Sequence, residues 1–329
     1  MQGDRPIDAG NLPDISEKFT SSHNPNAAAG LAQTFRIERV MDTQTLEREW
    51  NPLLEQIFTD ENDREPIELL TERFENGENF FLLRDDTGRA VGIELSQVIL
   101  GQDENAERTG HKAMYVPWTG VIEEVRNLGI GPQFNQGVSD YMTERYGVTH
   151  TLIDIEDPDR LHDSGYAEEE LPEAIDFAER RINFWRRQGF MVVDDETKGA
   201  GEKLEYCRPG SEDESMIQAY DHMCVRFSND DVAADVLSED GTQIQKSFVR
   251  ECYVDMCAIQ YDGMSEEDMR TEFPAIDKYL NDIDNTPGQW LNLRTSAVQP
   301  KTSPVANVQL VAGQSLDLDI DQDERYTNG

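Results

Sequence analysis

A short glycine-containing segment between a predicted strand and a predicted helix is the feature that most constrains the fold of this chain. It spans residues 126–131, reads Arg-Asn-Leu-Gly-Ile-Gly, and is followed by helix-forming residues from Gln133 to Tyr146. Two glycines one residue apart allow a tight turn whose backbone N–H groups point at one anion, beside the positive end of a helix dipole. The sequence therefore predicts a strand-turn-helix unit that binds a pyrophosphate.

The glycine spacing separates this segment from better-known phosphate-binding loops. A dinucleotide-binding fold requires G-x-G-x-x-G and a P-loop requires G-x-x-x-x-G-K-[ST], and the sequence contains neither string. The pattern here is Arg-x-x-Gly-x-Gly. On its own it also fits an ordinary strand-to-helix turn, so further features are needed to choose between the two interpretations.

Taken with two later segments, this turn resembles the acyl-coenzyme A loop of the GNAT superfamily of N-acetyltransferases. In that family [Arg/Gln]-x-x-Gly-x-[Gly/Ala] follows the fourth strand and precedes the third helix. Residues 180–190 resemble the family's later helix, which ends in Phe-Tyr-x-x-x-Gly-Phe, and residues 151–158 resemble the glutamate-rich fifth strand of one branch. The three segments occur in the family's order.

The resemblance implies a mixed α/β (α+β) fold, in which helices flank a GNAT-like mixed central sheet. Hydrophobic periodicity fits the element order β-α-α-β-β-β-α-β-α-β within residues 34–229, which form the predicted acyl-coenzyme A-binding domain. The order includes a hairpin with its turn at residues 85–89. Residues 204–207 are predicted to add a late strand.

Composition and periodicity divide the rest of the chain. Residues 1–33 are rich in Asp, Asn, Ser, Gly and Pro and are predicted to be a flexible leader. Residues 230–284 are predicted to form a C-terminal helical extension, with a capping box that begins at Ser265. Residues 285–329 are predicted to be a tail, in which residues 308–311 and 316–321 pair as an edge hairpin.

The resemblance implies acetyl-CoA as the cofactor and assigns its binding largely to the backbone. In the family, a splayed fourth strand offers N–H groups to the pantetheine and to the thioester oxygen, and the glycine loop holds the pyrophosphate. The implied coenzyme-binding residues are Thr119, Val121, Ile122, Arg126, Leu128, Gly129, Ile130, Gly131 and Trp185. Pro132 removes one N–H donor where many relatives keep one.

Two residues depart from the family's catalytic pattern. Trp185 stands where the resemblance implies a tyrosine acid, and Pro117 stands where many relatives carry a carboxylate. Neither loss excludes catalysis. Without the acid, a thiolate can still leave, because the pKa of a thiol is only about 8.5. Without the usual base, another carboxylate can deprotonate the amine through water. The candidate acid and base residues are Glu156, Asp154, Glu123 and Tyr115. The alternative interpretation is that the acids are solvated residues without a catalytic role, as at the end of a strand, and that Tyr115 is a core residue.

Charge and cysteine content limit the other functions. The chain has 67 acidic and 29 basic residues and a net charge of −38, spread along its whole length. This predicts a halophilic, cytoplasmic protein, because concentrated salt screens such charge, and it argues against a nucleic-acid partner. The four cysteines show no metal-binding spacing and are predicted to be buried thiols. No apolar run approaches membrane length and no secretory signal is visible.

Together these features predict an acetyl-CoA-dependent N-acetyltransferase that acts on a small-molecule or protein amine. The alternative is a catalytically silent module of the same fold that binds coenzyme or a protein partner. An oligomer is compatible with the sequence.

Overall fold

The computed structural model describes residues 17–21, 33–59, 64–100, 112–126, 128–158, 161, 169–193, 206–207, 221–261 and 263–294. These residues form a mixed sheet of ten strands that is flanked by helices. The predicted fold class is therefore confirmed. From β2 to β8 the elements also follow the predicted order, with helices between β2 and β3, β5 and β6, and β6 and β7.

In chain order, the strands are β1 (Glu17–Ser21), β2 (Gln33–Arg39), β3 (Asn79–Arg84), β4 (Ala90–Leu100), β5 (Lys112–Val121), β6 (His150–Glu156), β7 (Met191–Val193), β8 (Asp221–Phe227), β9 (Gln243–Gln245) and β10 (Trp290–Arg294). Their order across the sheet is β1-β2-β3-β4-β5-β6-β8-β7-β10-β9. β5 and β6 pair in parallel, whereas the other neighbouring strands are antiparallel.

The described helices are α1 (Thr43–Thr45), α2 (Asn51–Ile57), α3 (Ile67–Glu75), α4 (Ile130–Tyr146), α5 (Leu171–Arg187), α6 (Asp230–Val236), α7 (Lys246–Gln260), α8 (Glu266–Glu272) and α9 (Pro274–Asn285). A π-helical turn, Leu46–Trp50, joins α1 to α2, and a 3₁₀ turn, Glu123–Val125, follows β5. Ser265 caps α8 as predicted, since its Oγ accepts from the N–H of Asp268 at 3.2 Å, although the Asp268 carboxylate accepts from the Ser265 hydroxyl and not from its N–H.

The hairpin between β3 and β4 shows how local sequence fixes part of the sheet. Asp85 Oδ1 accepts from the N–H groups of Thr87, at 2.9 Å, and Arg89, at 3.0 Å. Gly88 has φ of +85°, a value that residues with a Cβ rarely adopt. The predicted turn is therefore confirmed.

The two faces of the sheet bury different side chains. Leu152 and Ile153 are adjacent on β6 and so point to opposite faces. Ile153 belongs to a core cluster that includes Phe134 of α4, whereas Leu152 belongs to a second cluster that includes Phe248 of α7. At β6, one face is therefore covered by α5 together with α4, and the other by α7.

The C-terminal segments are part of the sheet, and this revises the predicted organisation. β10 lies in the predicted tail and pairs with both β7 and β9, while α7, α8 and α9 build the second core cluster. β1 lies in the predicted leader and pairs with β2. Tyr206 and Cys207 are not in a strand, in contrast to the prediction; residues 204–205 and the predicted hairpin at 308–321 lie outside the described residues. All four cysteines are buried, as predicted.

Candidate active site

A gap opens between β5 and β6 partway along the two strands. They pair only at Ala113–His150, Met114–Thr151 and Tyr115–Leu152. β5 nevertheless continues to Val121 and β6 to Glu156. Beyond Tyr115 and Leu152, both strands therefore present backbone groups to the gap between them and not to each other.

A β-bulge containing a proline lies where the two strands separate. Tyr115 is opposite Gln97 and Trp118 is opposite Leu95, so two residues of β5, Val116 and Pro117, face the single residue Ser96 of β4. Bulges increase local twist, and proline has no N–H group to donate to a neighbouring strand. Pro117, which stands where many relatives carry a carboxylate, thus lies in the bulge at the opening of the gap.

Beyond the bulge, the register of β5 with β4 decides which N–H groups face the gap. The N–H of Ile122 donates to the carbonyl oxygen of Val91 at 3.0 Å, across the β4–β5 pair. Backbone groups alternate in direction along a strand, so the N–H groups of Thr119 and Val121 point away from β4 and into the gap. The prediction for Ile122 is therefore corrected, because its N–H is already used and its side chain is buried.

The predicted glycine turn connects this gap to the N-terminus of α4. Gly129 has φ of +73°, and a Cβ added there would meet no atom within 4 Å. No side chain of the described residues caps the helix at this end. The N–H groups of Gly129, Ile130 and Gly131 thus have no partner within the helix, whose first internal hydrogen bond runs from Gln133 to the N-cap. Pro132 costs the helix nothing, because a first-turn N–H would lack such a partner anyway.

The neighbours of this turn further define this end of the gap. Arg126 is exposed, and its Nε donates to the carbonyl oxygen of Val121 at 3.3 Å. Leu128 is half-buried and packs against the first core cluster. A Cβ added at Gly131 would lie 3.5 Å from the ring of Phe184 on α5. The arginine, the glycine turn and the free N–H groups of α4 therefore lie at one end of β5.

Trp185 is a core residue below this turn. Only 6% of its surface is exposed, and its ring lies 5.1 Å from Phe184 and 5.0 Å from Phe190, centroid to centroid. An indole N–H is a donor that does not release its proton at physiological pH. Trp185 therefore packs in the core near the C-terminal end of α5. It does not supply the proton that the resemblance assigns to a tyrosine at this position.

A carboxylate flanked by two tyrosines lies at the opposite face of the gap. Tyr115 donates to Asp154 Oδ2 at 2.6 Å, and Tyr206 donates a short hydrogen bond to Asp154 Oδ1. Asp154 follows Leu152 by two residues, so it lies on the α7 face of the sheet, just beyond the last β5–β6 pair. Both tyrosines are at least 95% buried, whereas Asp154 is partly exposed. The structure thus brings together two of the four predicted acid–base residues.

Hydrogen bonds and burial fix the protonation of Tyr206 in this cluster. Burial, and then the charge of Asp154, raise the pKa of Tyr206 well above its ordinary value. Tyr206 therefore stays protonated and donates to the carboxylate. Two hydroxyl donors, one to each carboxylate oxygen, therefore hold Asp154 in one orientation.

The other two predicted acid–base residues lie elsewhere. Arg181 Nη1 binds both carboxylate oxygens of Glu156 at 2.6 Å, so this acid, the favoured base in the sequence, is held in an ion pair. Glu123 is exposed in the 3₁₀ turn. Within the described residues, neither acid has a hydrogen bond to Tyr115 or Asp154. The structure therefore favours Asp154 over Glu156 and Glu123.

Sequence reasoning missed Tyr206 and a second carboxylate, Glu94. Glu94 is fully buried on β4 and accepts from Thr119 Oγ1 at 3.0 Å and from Asn135 Nδ2 at 3.3 Å. Asn135 lies on α4, which places Glu94 on the face opposite Asp154. An acid inside the apolar run of residues 90–99 was a signal in the sequence. Tyr206 offered no such signal.

Other kinds of site find no support in the described part of the chain. No group of three or more His, Cys, Asp or Glu side chains is arranged to hold a metal ion there. Within the same residues, no helix is long and apolar enough to cross a membrane.

Comparisons with known proteins give similarity only to solved structures. No family model matches the sequence, and no curated protein matches it either. The NAA60 structure from Arabidopsis thaliana in complex with acetyl-CoA is 14% identical, covering 59% of this chain and 98% of that one, with a TM-score of 0.37.

Two structures from Escherichia coli are similar to the same degree. The GNAT family N-acetyltransferase YhbS in complex with CoA is 15% identical, covering 62% of this chain and 85% of that one, with a TM-score of 0.35. The ribosomal-protein-S18-alanine N-acetyltransferase is 10% identical, covering 59% and 94%, with a TM-score of 0.34. At such TM-scores these similarities carry no argument, and the functional conclusion rests on the geometry of this chain.

Proposed function

We propose that this protein is an acetyl-CoA-dependent N-acetyltransferase of the GNAT superfamily, which transfers the acetyl group directly to a small-molecule or protein amine. The gap between β5 and β6 carries the proposal. It joins free N–H groups of a strand to the uncapped N-terminus of α4 on one side and to a carboxylate on the other.

The backbone groups at the gap fit a coenzyme A thioester. In the proposed complex, the N–H groups of Thr119 and Val121 bind the thioester oxygen and the pantetheine, because they point into the gap. The N–H groups of the Gly129–Gly131 turn and the guanidinium of Arg126 bind the pyrophosphate. Donors aimed at an oxygen that gains negative charge stabilise the transition state of acyl transfer.

The Asp154 cluster fits the amine acceptor. An amine with a pKa of about 10 reaches the site mainly as an ammonium ion, which a carboxylate attracts. Asp154 then accepts a proton from the amine, directly or through water, while Tyr115 and Tyr206 hold the carboxylate in place. The acceptor therefore approaches from the α7 face and the coenzyme from the α4 face.

Coenzyme binding tests this proposal most directly. In molar KCl, saturating acetyl-CoA should raise the melting temperature by about 5 °C or more, because a ligand that binds only the folded state stabilises it. Gly129→Trp should abolish the shift. Gly147→Trp is the matched control, since Gly147 ends the same helix with φ of +71° and equally open surroundings. A shift that Gly129→Trp leaves intact would place the coenzyme elsewhere.

A second candidate function is a module that binds coenzyme or a protein partner without catalysis. The burial of Trp185 and the ion pair of Glu156 with Arg181 favour it, because both remove an expected acid or base. Free-thiol release from acetyl-CoA with a broad panel of amines separates the two functions. Coenzyme-dependent stabilisation without thiol release would support the silent module, whereas release with any one amine would exclude it.

A further inference from the structure

The buried carboxylate of Glu94 lies directly behind the part of β5 that borders the gap. Glu94 is opposite Thr119 in the β4–β5 pair, and none of its surface is exposed. Thr119 Oγ1 donates to Glu94 Oε2 at 3.0 Å, and Ser96 Oγ donates to Oε1 at 3.2 Å. Burying a carboxylate is costly unless it is hydrogen-bonded or paired, or unless it takes up a proton.

We infer that Glu94 supplies, through the hydroxyl of Thr119, the proton that the departing thiolate takes up during acyl transfer. The inference rests on the proposed function and assigns the acid that Trp185 does not provide. Glu94 is a positioning and proton-supplying residue in this scheme, because it acts through Thr119 and does not touch the substrate.

The placement of the two carboxylates supports this division of roles. Asp154 lies on the α7 face of the gap, where we place the amine, whereas Glu94 lies on the α4 face with the coenzyme-binding turn. The Thr119 N–H also points into the gap, so the residue that carries the relay hydroxyl is itself a proposed thioester contact. In this scheme Asp154 acts on the amine and Glu94 acts on the sulfur of the coenzyme.

The surroundings of Glu94 keep it partly protonated near neutral pH. Burial raises the pKa of Glu94 to about 7, against the opposing effects of hydrogen bonds from Thr119, Asn135 and Ser96 and of the positive charge of Arg226 on β8. Asp140 of α4 in turn interacts with Arg226. A group with a pKa near the working pH is the most effective proton donor.

The proton and electron balance of the step is complete. The amine nitrogen bonds to the thioester carbon, the C–S bond breaks, and its electron pair stays on sulfur. Protonated Glu94 donates to Thr119 Oγ1, the reverse of the bond that its carboxylate accepts, and the Thr119 hydroxyl proton then moves to sulfur as the Glu94 proton moves to Thr119 Oγ1. The ammonium ion first releases one proton to water through Asp154, and the neutral amine gives its second proton to Asp154 as the amide forms. The products are an amide and a thiol, and exchange with water restores both carboxyl groups.

The test is the pH dependence of kcat at saturating acetyl-CoA and amine. In the unchanged protein, kcat should fall as pH rises through about 7, because the ionised Glu94 has no proton to supply. Glu94→Gln keeps the shape of the side chain and should lower kcat by about 10²- to 10³-fold and remove this limb of the profile. Thr119→Val should lower kcat by a similar factor. Thr119→Ser keeps the hydroxyl and should therefore keep most of the kcat of the unchanged protein.

Coenzyme-dependent thermal stabilisation of the same variants separates this inference from the proposed function. All three variants should keep the shift, because the backbone N–H groups and the glycine turn remain. An unchanged pH limb in Glu94→Gln, or full activity in Thr119→Val, would overturn the inference alone. If the unchanged protein released no thiol with any amine, the proposed function and this inference would fail together.

Discussion

The hydroxyl of Tyr115 donates a 2.6 Å hydrogen bond to Asp154 at the point where β5 and β6 separate. The tyrosine lies on the last paired residue of β5 and the aspartate two residues beyond the last paired residue of β6. The bond thus spans the mouth of the gap on the α7 face. It fixes a carboxylate where an amine would meet a thioester held between the two strands.

Asp154→Asn should therefore lower kcat for thiol release by about 10²- to 10⁴-fold, the usual range for the loss of a positioned base. The amide oxygen can still accept from one tyrosine, whereas the amide nitrogen can only donate to the other, and the side chain takes up no proton. Glu156→Gln is the control, because Glu156 lies two residues further on the same strand and binds Arg181. It should retain kcat within about threefold, since solvent-exposed ion pairs contribute little energy. The reverse ranking of the two variants would restore Glu156 as the base.

The parts of the fold that the sequence predicted are those set by local residues. The 85–89 hairpin depends on Asp85 and Gly88, and the end of α5 depends on Gly189, which has φ of +88°. The Arg126–Gly131 turn belongs to the same class. In each case, the residues that choose the conformation lie within a few positions of one another, so a single stretch of sequence contains the information.

The missed features depend on contacts between distant segments. β10 is a strand because β7 and β9 lie on either side of it. The misassignment of Ile122 arose because only the register with Val91 shows which N–H groups face the gap. Tyr206 joins Asp154 across 52 positions of sequence, and no local pattern announces such a pair.

Glu94 should make the stability of the protein fall as pH rises from about 5 to about 7. Its folded pKa, about 7, lies above the value near 4.3 of an unfolded chain. The folded state therefore binds the proton more tightly, and this stabilisation is complete below pH 4 and is lost as pH rises through 7. The full difference is on the order of 4 kcal/mol.

Urea unfolding at constant high salt checks this linkage. The unfolding free energy is plotted against pH for the unchanged protein and for Glu94→Gln. Subtracting the second curve from the first cancels the contributions of the other 66 of the 67 acidic residues. The difference in unfolding free energy should shrink or change sign between pH 5 and pH 7. Two curves that stay parallel over that range would show that Glu94 titrates normally.

The net charge of −38 should make folding depend on salt. Mutual repulsion of carboxylates opposes the compact state, and molar salt shortens the screening length to about 3 Å. The melting temperature should therefore rise between 0.2 M and 3 M KCl at pH 7. The rise should be smaller at pH 4.5, where part of the carboxylates are protonated. An equal rise at both pH values would point to a general salt effect and not to charge screening.

Removing β10 should destabilise the protein, because this strand lies between β7 and β9 and buries Leu291 and Leu293. A chain ending after Asn285 lacks the strand, whereas a chain ending after Arg294 keeps it and serves as the control. Each leucine contributes about 1.5–3 kcal/mol through burial, so the shorter chain should lose about 3–6 kcal/mol relative to the longer one. Urea midpoints at high salt measure the difference. Equal midpoints would mean that the sheet is complete at β7 and that residues 230–284 form a separate addition, as the sequence alone had suggested.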